Sequence, residues 1–176
     1  MKRKIEAFDY ANVICKALGK GVLLTTKRGS EVNTMTIGWG KLGIEWGRPV
    51  FIAYVRESRH TKQLLDASGE FTVNVPLTGA YRDILGYCGS RSGADTDKIR
   101  DKNLTVVDSD VVSAPGFKQF PLTLECKVIY RQKQDIRRMP QSVIERFYPP
   151  VGPEKAPDMH TAYYGEIVNA YLIEED

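Results

Sequence analysis

The stretch NTMTIGWGKLGIEWGRPVFIAYVRESRHT, residues 33–61, decides how the chain is read. Two of its segments, Thr34–Trp39 and Val50–Val55, are rich in β-branched and aromatic residues and are expected as strands. Between them stand Gly38, Gly40, Gly43 and Gly47. Beyond them Arg56, Ser58, Arg59, His60 and Thr61 gather cations and hydroxyls where a strand should hand over to a helix. A helix start offers free backbone N–H groups and a positive dipole end, so this boundary suits an anion.

Upstream, Asp9 is expected to cap a short helix whose apolar side is Tyr10, Val13, Ile14, Ala17 and Leu18. Val22–Lys27 reads as a strand and Arg28-Gly29-Ser30 as a turn. Downstream, Ser58 is placed to cap a helix to about Ala67, and Phe71–Val75 is a strand that Pro76 ends. A short helix is expected over Tyr81–Tyr87, then a polar loop from Cys88 to Lys98, with Thr96 or Asp97 capping a further turn and Leu104–Val107 as a short strand. Leu122, Leu124, Cys126, Val128 and Tyr130 alternate with Thr123, Glu125, Lys127 and Ile129, the period of a strand with one core face. Gln141–Phe147 gives a helix, Tyr148–Pro157 a proline-rich loop, and Thr161–Ile173 a long final strand. Strands outnumber helices without a βαβ rhythm, so a closed antiparallel barrel with peripheral helices is expected, as one domain over residues 1–176.

Composition agrees with that reading. A chain of 176 residues, 42% hydrophobic and 27% charged, can bury a sizeable core. The net charge of +3 imposes no field that demands a polyanion, and the basic run Arg131, Lys133, Arg137 and Arg138 lacks interleaved aromatics, so it reads as a solvated edge and no nucleic acid is expected. No run is long enough to span a bilayer, and the opening residues lack the pattern of a signal peptide, so a cytoplasmic protein without a membrane partner is expected. Cys15, Cys88 and Cys126 are odd in number and far apart, which argues against a disulfide framework or a zinc knuckle. With only His60 and His160 available, no metal is expected either.

Gly38-Trp39-Gly40-Lys41-Leu42-Gly43 matches GxGxxG, but a dinucleotide fingerprint needs a helix to start there, and the following residues are strand and turn formers. Glycines that bend a barrel strand or admit a ligand are the preferred reading. Ser90, Arg91, Ser92, Gly93 and Lys98 repeat the chemistry of residues 56–61, small residues beside cations, as in a backbone nest for phosphate. Asn33, Thr34, Met35 and Thr36 can offer a polar edge to a flat ring, with Trp39, Trp46 and Tyr54 as candidate walls.

Together these blocks resemble the flavin reductase-like, FMN-binding split-barrel family, its flavoredoxin-like branch in particular. The likeness runs through Asn33-Thr34-Met35-Thr36, Ile44 to Pro49, Tyr54 to Thr61, Phe71 to Pro76, Leu85 to Ser90 with Ser92-Gly93 and Asp97-Lys98, and His160-Thr161 with Gly165-Glu166-Ile167. The resemblance implies a six-stranded antiparallel split β-barrel that forms a homodimer with FMN near the interface. It implies that Asn33, Met35, Thr36 and Tyr54 meet the flavin and that Arg56, Ser58, Arg59 and Thr61 take its phosphate end. Cys88, Gly89, Ser90, Ser92 and Lys98 would close over it, Cys88 as a contact and not a redox thiol. An arginine common in the family's loop is Ala94 here. The chemistry implied is hydride transfer from NADH or NADPH to FMN, with His160 orienting the nicotinamide, and onward electron delivery to an acceptor that includes a protein among its candidates. The alternative is a flavoredoxin-like carrier reduced by a protein partner.

Overall fold

The computed structural model describes residues 1–150 and 156–174, so part of the Tyr148–Pro157 loop lies outside the described residues. In chain order it contains β1 (Lys2–Lys4), α1 (Ala11–Leu18), β2 (Val22–Arg28), β3 (Glu31–Ile37), β4 (Gly40–Glu45) and β5 (Arg48–Arg56). There follow α2 (His60–Ser68), β6 (Glu70–Val75), α3 (Arg82–Ser90), α4 (Lys98–Asp101), β7 (Val106–Val107), β8 (Gly116–Phe117), β9 (Leu122–Lys133), α5 (Gln141–Phe147) and β10 (His160–Ile173). None of the described helices is long and apolar enough to cross a membrane.

Seven strands lie in the order β3-β2-β6-β9-β10-β5-β4, with β1 added on β10, and β7 pairs with β8 apart from them. The expected six strands are therefore eight in the main sheet among the described residues. Two were missed for different reasons. The glycines of Gly40–Glu45 do not interrupt the chain but run as β4 along β5, from Gly40 opposite Ala53 to Glu45 opposite Arg48. Lys2–Lys4 has no apolar period and is a strand only because it pairs with Tyr171–Ile173. The β4–β5 hairpin turns through Trp46 (φ 49°) and Gly47 (φ 72°), both left-handed, as a two-residue turn that follows the sheet twist requires.

β10 is the spine. One edge pairs with β9 along almost its whole length. The other edge pairs with β5 from His160 to Glu166 and then with β1 from Tyr171 to Ile173, and the change of partner is where the barrel splits. Alternation sends Leu24, Phe51, Phe71, Leu124 and Tyr163 into the main core, which α1 and α2 help to close. Leu23 points the other way, into a smaller cluster with Leu85 of α3, Phe117 and Phe120.

Three expected caps resolve differently. Asp97 caps α4, accepting from the Arg100 amide at 3.1 Å. Asp9 instead lies in a 3₁₀ turn, Ala7–Tyr10, that leads into α1. Ser58 does not cap α2, which starts at His60 with no side-chain cap. Its hydroxyl donates to Asp158 at 2.7 Å and its amide to the same carboxyl at 3.0 Å, which holds the side chain toward the segment before β10.

The segment before β8 is held by a buried carboxylate. Glu125 of β9 accepts from the amides of Asp110, Val111 and Val112 at 2.9, 2.7 and 3.0 Å and from the Asn169 side chain at 2.9 Å. At about 1 kcal/mol for each of these four hydrogen bonds, Glu125→Ala should weaken the fold by about 4 kcal/mol in urea unfolding, with Glu125→Gln losing less. An unchanged midpoint in the alanine variant would mean that the loop holds itself.

Candidate functional site

Two hollows, of about 150 Å³ and about 70 Å³, join at Met35 and Arg59 into one cleft between β3, β5 and the start of α2. The first is lined by Met35, Thr36, Trp39, Tyr54, Arg56, Arg59 and His160, among others. Its flat element is Trp39, whose ring lies 4.7 Å from that of His160 at an interplanar angle of 37°. Strand register puts His160 opposite Arg56, so β5 and β10 deliver the two side chains together.

His160 is 7% exposed, and burial with the neighbouring Arg56 cation holds its pKa down at about 4, so the ring is neutral at physiological pH. Tyr148 donates its phenol proton to Gln134 at 2.8 Å and also lies 2.8 Å from His160 Nδ1. With that phenol proton committed, the imidazole proton belongs on Nδ1, and Nε2 keeps a lone pair as acceptor.

The second hollow is cationic. Lys98 is 4% exposed, and its Nζ donates only to the carbonyls of Thr34 (2.8 Å) and Cys88 (3.3 Å), with no carboxylate partner among the described residues. Burial lowers its pKa, the signature of an ammonium short of compensation. Arg59 and Arg91 line the same hollow and form no side-chain hydrogen bond or ion pair among the described residues. Thr61, accepting from Asn33 Nδ2 at 2.7 Å, keeps its own hydroxyl proton to donate. Gly93 fits only as glycine, because a Cβ there would sit 2.1 Å from Asn33 Oδ1.

The cleft thus unites Met35, Thr36, Tyr54, Arg56, Ser58, Arg59, Thr61, Cys88, Ser92, Lys98 and His160. Within it, Arg56 and Ser58, expected at a phosphate, have their donors engaged elsewhere. The Arg56 guanidinium donates to the carbonyls of Asp158 (2.7 Å) and Phe147 (3.0 Å), and Ser58 is held by Asp158. Asn33 stands behind the wall, bracing Thr61. Gly89 and Ser90 are not brought into the cleft: they line a separate cavity beyond Thr36, and the Ser90 hydroxyl donates to the Gly86 carbonyl at 2.9 Å. Trp46, a candidate wall, lies on the outer sheet against Tyr130. Cys88 is a buried thiol whose pKa burial pushes up to about 11, which leaves it protonated. Arg91 and Gly93, read from the sequence as part of a nest of cations beside glycine, also line the second hollow.

The family model for the flavin reductase like domain matches residues 18–176. The chain belongs to that family. Among sequence relatives of this flavin reductase-like protein, an uncharacterized protein of Archaeoglobus fulgidus is 32% identical over 97 residues, 55% of this chain and 54% of that one. One of Pyrococcus abyssi is 26% identical over 106 residues, 60% and 59%. The chain therefore spans little more than half the length of the curated relatives it matches. Flavoredoxin of Desulfovibrio vulgaris superposes with a TM-score of 0.66 at 25% identity, covering 88% of this chain and 69% of that one. An FMN-binding domain of a flavin reductase-like enzyme from Shewanella baltica gives 0.69 at 17% identity, covering 98% and 77%, and shares the fold.

The neutral His160 makes stability depend on pH. Folding excludes a proton that the unfolded chain binds, so the contribution is complete above about 6.5, declines as pH falls toward about 4, and is gone below it. The wild type should lose on the order of 3 kcal/mol across that window from this residue, and urea midpoints of His160→Gln should show a flatter decline. Equal slopes in the two proteins would mean that the ring is not held neutral.

Proposed function

We propose that the chain binds FMN in this cleft and serves as a flavin reductase-type oxidoreductase that takes hydride from NADH or NADPH and delivers electrons onward. The observation that carries the reading is the buried Lys98 amine without a carboxylate among the described residues, set beside two guanidiniums with no partner among them and one step from the Trp39–His160 stack. An anion-hungry end next to a flat aromatic end fits a phosphate joined to a ring. When bound, FMN supplies the two-electron chemistry of its ring. Everything else is the work of side chains.

In this reading Lys98, Arg59, Arg91 and the Thr61 hydroxyl hold the phosphate, and the loop amides around Ser92 and Gly93 approach it. Met35, Thr36 and Trp39 shield the ring from water. Arg56 and Ser58 fix the frame by tying β5 to the segment before β10. His160 presents Nε2 as an acceptor that orients the carboxamide of a nicotinamide, and a variant lacking the ring would then bind the nucleotide more weakly. Each hollow is smaller than the roughly 300–1,000 Å³ of ordinary small-molecule sites, which supports a homodimer in which a second copy completes the cover. We place the protein in the cytoplasm.

A second reading is favoured by the flavoredoxin likeness, which extends over 88% of the chain: a carrier that keeps FMN and receives electrons from a protein partner. Absorbance spectra separate the two. Protein supplied with FMN and freed of excess should stay yellow, and anaerobic NADH or NADPH should bleach it; a flavin that persists unbleached supports the carrier. Lys98→Met should weaken FMN binding roughly tenfold or more, the scale of a hydrogen bond to a charged group, and Arg59→Gln should do so with less risk to the fold. Flavin retention that ignores both changes would remove the anion site from the proposal.

A further inference from the structure

We propose a second ligand site, separate from the cleft, lying between α1 and α3 and built for an organic anion with an apolar body. The cavity there measures about 800 Å³, inside the range of small-molecule pockets. Its walls include Val13 and Ala17 of α1, Pro76 and Leu77 after β6, and Tyr81 and Leu85 at α3. Val13 and Leu77 are 37% and 46% exposed, so this apolar surface faces open space.

Charge selects the occupant. Lys16, Lys20 and Arg82 line the cavity, all three exposed and none in a side-chain hydrogen bond or ion pair among the described residues. No aspartate or glutamate lines it. Apolar walls under three cations without partners among the described residues are complementary to an aromatic or aliphatic carboxylate, phosphate or sulfonate, and unfavourable for a cation.

The site is distinct from the cleft by construction. Thr36 is the residue common to both linings, and its hydroxyl donates to the Leu85 carbonyl at 2.7 Å, fastening β3 to α3. Gly89 backs onto the same threonine so closely that a Cβ there would lie 3.3 Å from Thr36 Cβ. Thr36 and Gly89 thus stand between the pocket and the cleft.

Anilinonaphthalene sulfonate, an aromatic sulfonate, is the probe, with neutral phenylnaphthylamine as its uncharged counterpart. Equilibrium dialysis of the full chain saturated with FMN should show one bound sulfonate dye per chain. Reversal of either Lys20→Glu or Arg82→Glu should weaken it by about fivefold, the scale of one exposed ion pair, without changing phenylnaphthylamine binding or flavin retention. Leu77→Asp should weaken both dyes. The proposal is overturned if FMN displaces the sulfonate dye, if neither charge reversal affects it, or if sedimentation shows that the dye binds only as a dimer dissociates, since a second copy would then cover the face. Flavin retention is read separately by absorbance in the same samples. Charge-dependent dye binding to protein that keeps no flavin would preserve this site while sinking the flavin reading.

Discussion

Backbone hydrogen bonding along β10 is the constraint on which the architecture rests. A strand of fourteen residues buried in the middle of a sheet needs partners on both edges, and a single neighbour satisfies only one. β9 serves one edge. The other is divided between β5 and β1, and the division curves the sheet and leaves a seam between them. The same pairing sets His160 at the end of β10 across from Arg56 at the end of β5, so the mouth of the cleft is a by-product of strand register.

Electrostatics then differentiates the cleft. At one end, burial and a nearby guanidinium keep an imidazole uncharged; at the other, burial lowers the pKa of Lys98, which has no carboxylate partner among the described residues. In the proposed reading the two ends would take different groups: a phosphate would compensate Lys98, while the His160 acceptor would take a neutral hydrogen-bond donor. Arg56, which lines the first hollow, also holds the Phe147 and Asp158 carbonyls in place.

Much of this was legible. The alternation of Leu122–Tyr130 gave β9, although its extension to Lys133 did not show, since Arg131, Gln132 and Lys133 are exposed and become strand by pairing with β10. The cluster Arg56 to Thr61 marked the site, yet its internal roles depend on Asp158, a carboxylate that only the fold brings near. The loop reading of Cys88–Lys98 placed Cys88, Gly89 and Ser90 together; because they belong to α3, each step turns the side chain by about 100°, and Cys88 faces Lys98 while Gly89 and Ser90 face α1. Non-local partners and helix phase are what spacing alone cannot supply.

The pairing of Lys2 with Ile173 has a consequence for biosynthesis. A ribosome makes β1 and β5 long before it makes the strand that both require, so the nascent chain carries two orphan edges until the last residues of β10 emerge. β2, β3 and β6 can associate early, but the barrel cannot close before β10 is made. Contacts of such long sequence separation also slow closure afterwards, since the loop entropy must be lost before the pairing repays it. The chain is therefore most vulnerable to misassociation while both edges wait for β10.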